Sequence, residues 1–477
     1  PTRNPKMPSW QIHRGRLERD LLLMNIADGV TWIHGKVTSL DLTAGTASNG
    51  ATVELADGSG SKEFRGDYLV DAASRAFLTG REKDNMLFGP KNLFGLQNGT
   101  AWVRVTGVQR ETFLDGIDPD RTITSQYYAT NHWMGPGHWL WMIPITMGDE
   151  MQLSLGVMYH HQVIKGKDLD TRDKFMAFLK ANHEVLYDLV KDCKVDDFAH
   201  WSRPSHFCKQ MFSPDRWYAI GDAAYFGDAF YSQGTSTIAF AIESVTEIIR
   251  ASRANEADVE RKRDAYDRFN RWWGANVVHL YRDHYKHLGH AGAMSSRIYL
   301  EYMWWFGAWV PTYMGKYFLD PKYVDDTLKN CQRHFLKEVY DDLTLVCEGK
   351  ANQLPLMDCY RADQLFFGYE PPGHSDPWLE NVESAPMRLN VYKSIAKTFF
   401  FVALWWMRFQ WIAFGWKGVT AGRTWKYFLN LMRTAAWIKL GDYRHQFRNM
   451  GKAKNPTQKR LSEEVRRMAP APAGPIP

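Results

Sequence analysis

Apolar residues along this 477-residue chain change their spacing three times. Over residues 14–28 they recur at helical intervals (Leu17, Leu21, Met24, Ala27), which predicts an amphipathic helix, and Gly29 is placed to end it. Residues 30–33 and 36–42 alternate as strands do, and Val53-Glu54-Leu55 ahead of Asp57-Gly58 predicts a hairpin. A short apolar strand over 67–71 runs into the small residues Ala72, Ala73 and Ser74. From 100 to 158 the period is two. Residues 102–105, 122–128, 139–145 and 151–158 are four candidate strands, and an antiparallel sheet suits them. Residues 171–192 then read as helix, 217–220 as a buried strand, and 232–250 as a helix packed behind it.

Beyond residue 255 the pattern is helical. Residues 256–290 are charged, with an apolar face of Trp272, Trp273, Val277 and Leu280; 294–317 is very aromatic; 320–347 continues the pattern; 353–385 is Pro-rich and loop-like. In 390–416 the apolar run from Phe399 to Met407 is 9 residues long before Arg408 interrupts it. A bilayer-spanning helix needs about 20, so this segment is read as a core or interfacial helix. From Lys452 the chain is rich in Lys, Arg, Pro and Ala, and disorder is expected.

Composition changes this picture in two ways. Twenty tryptophans are many for this length, while a mean hydropathy of −0.43 argues against a polytopic membrane protein. The net charge of +6 conceals an asymmetry: residues 390–477 carry 16 Lys+Arg against 3 Asp+Glu, a balance of +13 that leaves −7 for the other 389 residues. No nucleic-acid-binding motif accompanies this basic region, so an anionic membrane surface or an acidic protein partner suits it better. The five cysteines (Cys193, Cys208, Cys331, Cys347, Cys359) are odd in number, scattered and without a C-x-x-C pair, which points to reduced thiols and a cytoplasmic location. His279, His284, His287 and His290 lie close together, but no acidic residue has the spacing to complete a metal site, and no metal is expected. Walker, G-x-S-x-G and H-E-x-x-H motifs are missing from the sequence.

Three motifs carry chemistry. The run from Trp217 through Gly221-Asp222-Ala223-Ala224 is an apolar strand ending in Gly, where backbone can pass close to a ligand, followed by an Asp that can accept from ligand hydroxyls. Ten residues further on, Gly234 and Thr235 head a helix whose first N–H groups offer positive dipole to an anion. Upstream, Trp139-Leu140-Trp141-Met142-Ile143-Pro144 lies on a predicted strand.

Together these resemble flavin-dependent halogenases of the tryptophan-halogenase-like superfamily, over roughly residues 7–250. Trp139, Trp141, Ile143 and Pro144 match the W-x-W-x-I-P signature, which the resemblance implies keeps organic substrate away from the flavin. Arg14-x-x-Leu17-x-x-x-Leu21 resembles the R-x-x-[FL]-x-x-x-L element, with Val37 then at the adenine, and Asp67 to Arg75 resembles the "DLVVDASGR" run, with Asp71 at its turn. By the same resemblance Gly221, Asp222, Gly234 and Thr235 contact FAD, and Gln233 and Gly234 border a halide ion. Asp228 to Gly234 matches the family's D-P-x-x-S-x-G loop except that Ala229 replaces Pro, and Tyr231 stands where tryptophan halogenases carry a catalytic Glu. That points to a phenol- or pyrrole-type substrate.

The implied fold is α/β (α+β): a Rossmann-like FAD/NAD(P)-binding domain with an inserted antiparallel sheet for substrate and a C-terminal helical region. The expected boundaries are 1–99, 100–212, 213–252, 253–451 and a disordered basic tail over 452–477. The family's G-x-G-x-x-G loop and the catalytic lysine ahead of the Arg-x-x-Leu element have no counterpart in this sequence; Ser59-Gly60-Ser61, Gly66 and Lys6 do not supply them. The expectation is a chain that starts inside the first domain, or a degenerate homologue. The implied partners are FAD reduced by a separate flavin reductase, a halide, and an aromatic substrate that is free or tethered to an acyl-carrier protein; the basic region suggests peripheral membrane contact, and no nucleic acid. A flavin monooxygenase, a polyprenyl-reductase-like oxidoreductase and an inactive binding protein on the same fold are the alternatives.

Overall fold

Helix α1 (Arg14–Ala27) forms where the periodicity placed it, yet none of its residues is buried. The computed structural model describes residues 11–43, 48–109, 127, 129–147, 150–330, 336–356 and 391–448. After α1 the segment 30–34 is not a strand, contrary to its alternation. Extended backbone needs a partner for its ladder hydrogen bonds, and the neighbouring meander engages this segment at its last residue, where Ala56 N donates to His34 O (2.9 Å). That meander pairs β1 (Gly35–Asp41), β2 (Asn49–Leu55) and β3 (Ser61–Gly66), all antiparallel, with the predicted turn at Asp57-Gly58 between the last two.

Strand β4 (Leu69–Asp71), the short helix α2 (Leu78–Glu82) and β5 (Met86–Leu87) follow. The period-two region then builds the largest sheet. Its strands are β6 (Asn98–Thr106), β7 (Asn131–Gly135), β8 (His138–Met147), β9 (Glu150–His160) and, after helices α3 (Arg172–Asn182) and α4 (Glu184–Val190), β10 (Lys194–Trp201). The order is β10-β6-β9-β8-β7, antiparallel throughout. The strand expected over 122–128 lies outside the described residues, Tyr127 apart. One face of the sheet buries Val103, Val105, Leu140, Met142, Leu153, Leu155 and Val157 against Phe175 and Leu179 of α3 and Leu186 of α4. Alternation along β8 therefore sends Trp139, Trp141 and Ile143 to the other face.

The chain returns through β11 (His206–Cys208), β12 (Trp217–Ala219) and β13 (Tyr225–Phe226) into α5 (Gly234–Arg253). Strand β12 pairs in parallel with β4, and β11 bridges β13 and β5. Helix α6 (Val259–Leu280) packs on α5, burying Phe269 and Trp273 beside Phe240, and α7 (His284–His287) follows a turn in which Asp283 takes φ +59°. These elements form one compact unit within Ser9–Gly289; a second lies within His290–Pro477.

The second unit is helical. Helix α8 (Ala291–Trp304) passes through a π turn at Trp305–Trp309 into α9 (Val310–Met314), then α10 (Pro321–Asn330) and α11 (Lys337–Cys347). Helices α12 (Val391–Thr420) and α13 (Gly422–Arg448) turn back on each other at Ala421. Buried charge is paired here, as the cost of isolating it demands. Arg297 binds Glu301 at 2.8 Å under Tyr340, and Asp342 accepts from Arg423 (2.8 and 2.9 Å) and Gln410 (2.6 Å), which fastens the hairpin to α11.

Candidate active site

Two motifs about 150 residues apart become neighbours through the parallel pair. Leu69, Val70 and Asp71 sit in register with Trp217, Tyr218 and Ala219, so both strands end side by side at their turns. Ligands of open parallel sheets bind at such carboxyl ends. The Asp71 carboxylate is fully engaged in shaping its own turn: it accepts from Ala73 N (3.0 Å), Thr79 N (2.7 Å) and Thr79 Oγ1 (2.8 Å), while Asp71 O accepts from Ile220 N (3.0 Å).

The second turn needs its glycine. Gly221 has φ +57°, and a Cβ there would meet Ile238 of α5 at 3.2 Å. Asp222 is half-buried beside it. Burial raises its pKa, opposed by the charges of His206, Arg14 and Arg75, so Arg14 is brought into the field of Asp222 although its own side chain is exposed and paired with Glu18. Arg75 donates to Pro204 O (2.9 Å) and Arg203 O (3.2 Å). Val37 pairs with Val53 across β1 and β2 in the meander.

The loop between β13 and α5 is organised by the buried Asp228, whose role the contiguous D-A-F-Y-S-Q-G run does not reveal. Its Oδ1 accepts from Trp139 Nε1 (3.1 Å) and Phe230 N (3.1 Å); its Oδ2 accepts from Asn98 Nδ2 (2.9 Å) and the Tyr285 hydroxyl. Burial raises the carboxyl pKa and these donors oppose the rise. Gln233 is buried as well: its amide donates to Asp228 O and its Oε1 accepts from Tyr281 (3.0 Å). Its side chain is thus spent on the loop. Ser205 and His206 join this cluster to the first, because Ser205 Oγ donates to Gly227 O (2.6 Å) while His206 Nε2 lies 2.7 Å from Asp222 O.

Asn98, Tyr285 and Ser205 were also missed from sequence. Asn98 opens β6 just outside the predicted strand, and Tyr285 sits among the histidines weighed as a metal cluster. His284 there faces rings instead, its centroid 4.7 Å from Phe230 and 5.5 Å from Tyr281.

Trp139 is fully buried and Trp141 half-buried. Trp139 meets Phe230 (5.1 Å) and His132 (5.2 Å) edge-on, and Trp141 at 5.8 Å. Trp141 donates to Ser154 Oγ (3.1 Å), and its ring lies over Gly156, the residue paired with it on β9. Any Cβ at 156 would overlap that indole. Pro144 lies past the last pairing of β7, Asn131 with Met142, where the ladder does not require its missing N–H.

The residues fit the flavin end of FAD. In α5 the first intrahelical bond runs from Thr237 N to Gln233 O (3.0 Å), so the N–H groups of Gly234, Thr235 and Ser236 face outward from the helix end. A Cβ on Gly234 would meet nothing within 4 Å, so the approach is open. Glycines 58 and 60 lie in the antiparallel β2–β3 turn, which is not the strand-to-helix setting a pyrophosphate requires.

No family model matches the chain. Among solved structures, halogenase PltM in complex with phloroglucinol and FAD aligns at TM-score 0.49 with 16% identity, covering 85% of this chain and 69% of its own. CmlS, a flavin-dependent halogenase, aligns at 0.47 with 18% identity, covering 75% of this chain and 58% of its own. In sequence the chain is 36% identical over 419 residues to the flavin-dependent halogenase chlA of Dictyostelium discoideum, covering 84% of this chain and 69% of that protein. Identity at this level across most of both chains settles the family: the chain belongs to the flavin-dependent halogenases.

Proposed function

We propose that the protein halogenates an electron-rich aromatic substrate of the phenol or pyrrole type, with reduced FAD delivered by a separate flavin reductase. The hydrogen bond from Trp139 to Asp228 carries this reading, because it joins the W-x-W-x-I-P strand to the loop that leads into α5. When bound, reduced FAD supplies the two electrons with which oxygen oxidises halide. Overall, substrate, halide, one proton, oxygen and reduced flavin give aryl halide, FAD and two waters.

The chain's own residues do the positioning. Gly221 admits the cofactor's sugar chain, Asp222 accepts from its hydroxyls, and Asp71 holds the adjoining turn. The N–H groups of Gly234 and Thr235 would donate to a flavin carbonyl or the halide, Gln233 keeps that helix end in place, and Arg14 adds positive charge near Asp222. Val37 would line the adenine end of the bound cofactor. Trp139 and Trp141, backed by Ile143 and Pro144, separate the helix end from the substrate chamber. Tyr231 supports the substrate class. It offers a neutral phenol where a carboxylate would be needed for free tryptophan, and it stacks near Tyr281 and His284 in an aromatic wall.

The test is turnover with a flavin reductase, NADH, oxygen and phenol or pyrrole substrates, free and carrier-tethered, with and without chloride or bromide. The expected result is halide-dependent aryl halide without hydroxylated product. Hydroxylation that ignores halide would overturn it.

A further inference from the structure

We propose that the α12–α13 hairpin seats this protein on an anionic lipid surface, lying in the interface without crossing it. The proposal stands independently of the halogenation chemistry.

The hairpin exposes tryptophan on a scale that a solvated surface does not explain. Around its turn, Trp411 is 54% exposed, Trp416 70% and Trp425 45%, and further along α13 Trp437 is 54% exposed. Trp411 and Trp416 meet edge-on at 6.3 Å, forming one outward aromatic patch. The backbone creates this patch. Gly415 takes φ +62° and ψ −148°, which breaks α12 one residue before Trp416 and turns that indole away from the helical line. Helix α13 continues the surface. At 100° per residue, Trp425, Leu429, Ala436 and Leu440 fall within about 60° of arc, bordered along one edge by Lys426 and Arg433, while Thr424, Tyr427, Leu431 and Ala435 form the buried side.

Charge identifies the occupant. Residues 391–448 hold 10 Lys+Arg and a single acid, Asp442. Lys417 and Lys426 flank the exposed indoles at the turn, while Arg423 is held by Asp342. An acidic protein read through ion pairs would not call for four exposed indoles, and an apolar protein partner would not call for this density of cations. An anionic bilayer surface uses both: indoles settle at the headgroup level, and Lys and Arg extend their stems to lipid phosphates and carboxylates. Among the described residues no helix is long and apolar enough to cross a membrane, so the seating is in-plane.

The experiment is flotation of the full chain with vesicles of phosphatidylcholine alone or with about a third phosphatidylserine, at low and high salt. Co-flotation is expected with the anionic vesicles only, weakening as the Debye length falls from about 10 Å at 0.1 M to about 3 Å at 1 M. Removing one surface cation lowers partitioning about fivefold, so Lys417→Glu/Lys426→Glu should lower it roughly 25-fold or more, while Lys417→Arg/Lys426→Arg should retain it. Trp416→Ala/Trp425→Ala should lower it about tenfold. Because these positions are exposed, each variant should keep its helical circular dichroism and its Tm to within about 2 °C. Equal binding to neutral vesicles, charge reversal without effect, or capture of an acidic carrier protein by the hairpin with no vesicle binding would each overturn the proposal.

Discussion

Asp228→Asn is the most informative single substitution, because it keeps the shape of the residue and changes only what it can accept. In the wild type both carboxylate oxygens are occupied by donors, two on each. An amide offers one acceptor oxygen and one NH2. If the NH2 faces Trp139 and Phe230, two N–H donors lose their partner. If it faces Asn98 and Tyr285, the tyrosine hydroxyl can rotate to accept, but Asn98 is left opposed. One or two buried donors are therefore stranded, at about 1–3 kcal/mol each. Relief from burying a charge offsets part of this, and a net loss of about 1–3 kcal/mol is expected. With an m-value near 3 kcal/mol/M, the urea midpoint should fall by about 0.3–1 M, read by circular dichroism. Trp139→Phe removes the indole donor, so the two substitutions should couple by at least about 1 kcal/mol in a double-mutant cycle. The double variant should also shift the ratio of aryl halide to wasted oxidant no further than Asp228→Asn does alone. If Asp228→Asn unfolds within about 0.5 kcal/mol of wild type, or the cost of Trp139→Phe is the same in both backgrounds, Asp228 is not the organiser of this site.

Three further outcomes follow from the same geometry. Gly156→Val should cost about 1–3 kcal/mol by overpacking and push Trp141 aside, since the new Cβ would overlap its ring and lie 2.6 Å from Trp102 Cβ; urea unfolding and the yield of halogenated product per oxygen consumed both report it. Gly221→Ala should cost about 1–2 kcal/mol for holding φ +57° and lower flavin retention on gel filtration, whereas Gly234→Ala, with open space before it, should leave stability almost unchanged. His138 and His183 meet Nε2 to Nε2 at 2.8 Å; burial lowers both pKa values, and His183, also beside His138, falls to about 4. Because these folded values lie below that of an unfolded histidine, the pair's contribution to stability is complete above about pH 6.5 and is lost as pH falls toward 4. A Tm profile that is flat across that window, or unchanged by His183→Gln, would remove this assignment.

Elements whose signal is local are legible along the chain. Period two marked β8 and β9, helical spacing marked α1 and the region of α5, and the order of the Trp139–Pro144 and Gly221–Ala224 motifs carried the family, because each motif is contiguous in the chain. Which elements meet is settled by packing. The strand expected over 30–33 failed because alternation states which face a residue would take and not whether a partner exists to complete the ladder. Helix 171–192 broke at His183 and helix 256–290 at Asp283, where packing and a turn override a continuous apolar pattern. The Asp71 carboxylate, accepting from Ala73 and Thr79, shapes the turn where β4 ends. The centre of the site, Asp228, gathers donors from Asn98, Trp139, Phe230 and Tyr285, on separate elements spread over nearly 190 positions of chain. No spacing rule encodes such a set, since its members are brought together by burial: a buried carboxylate must be surrounded by donors, and the fold supplies them from wherever the chain passes.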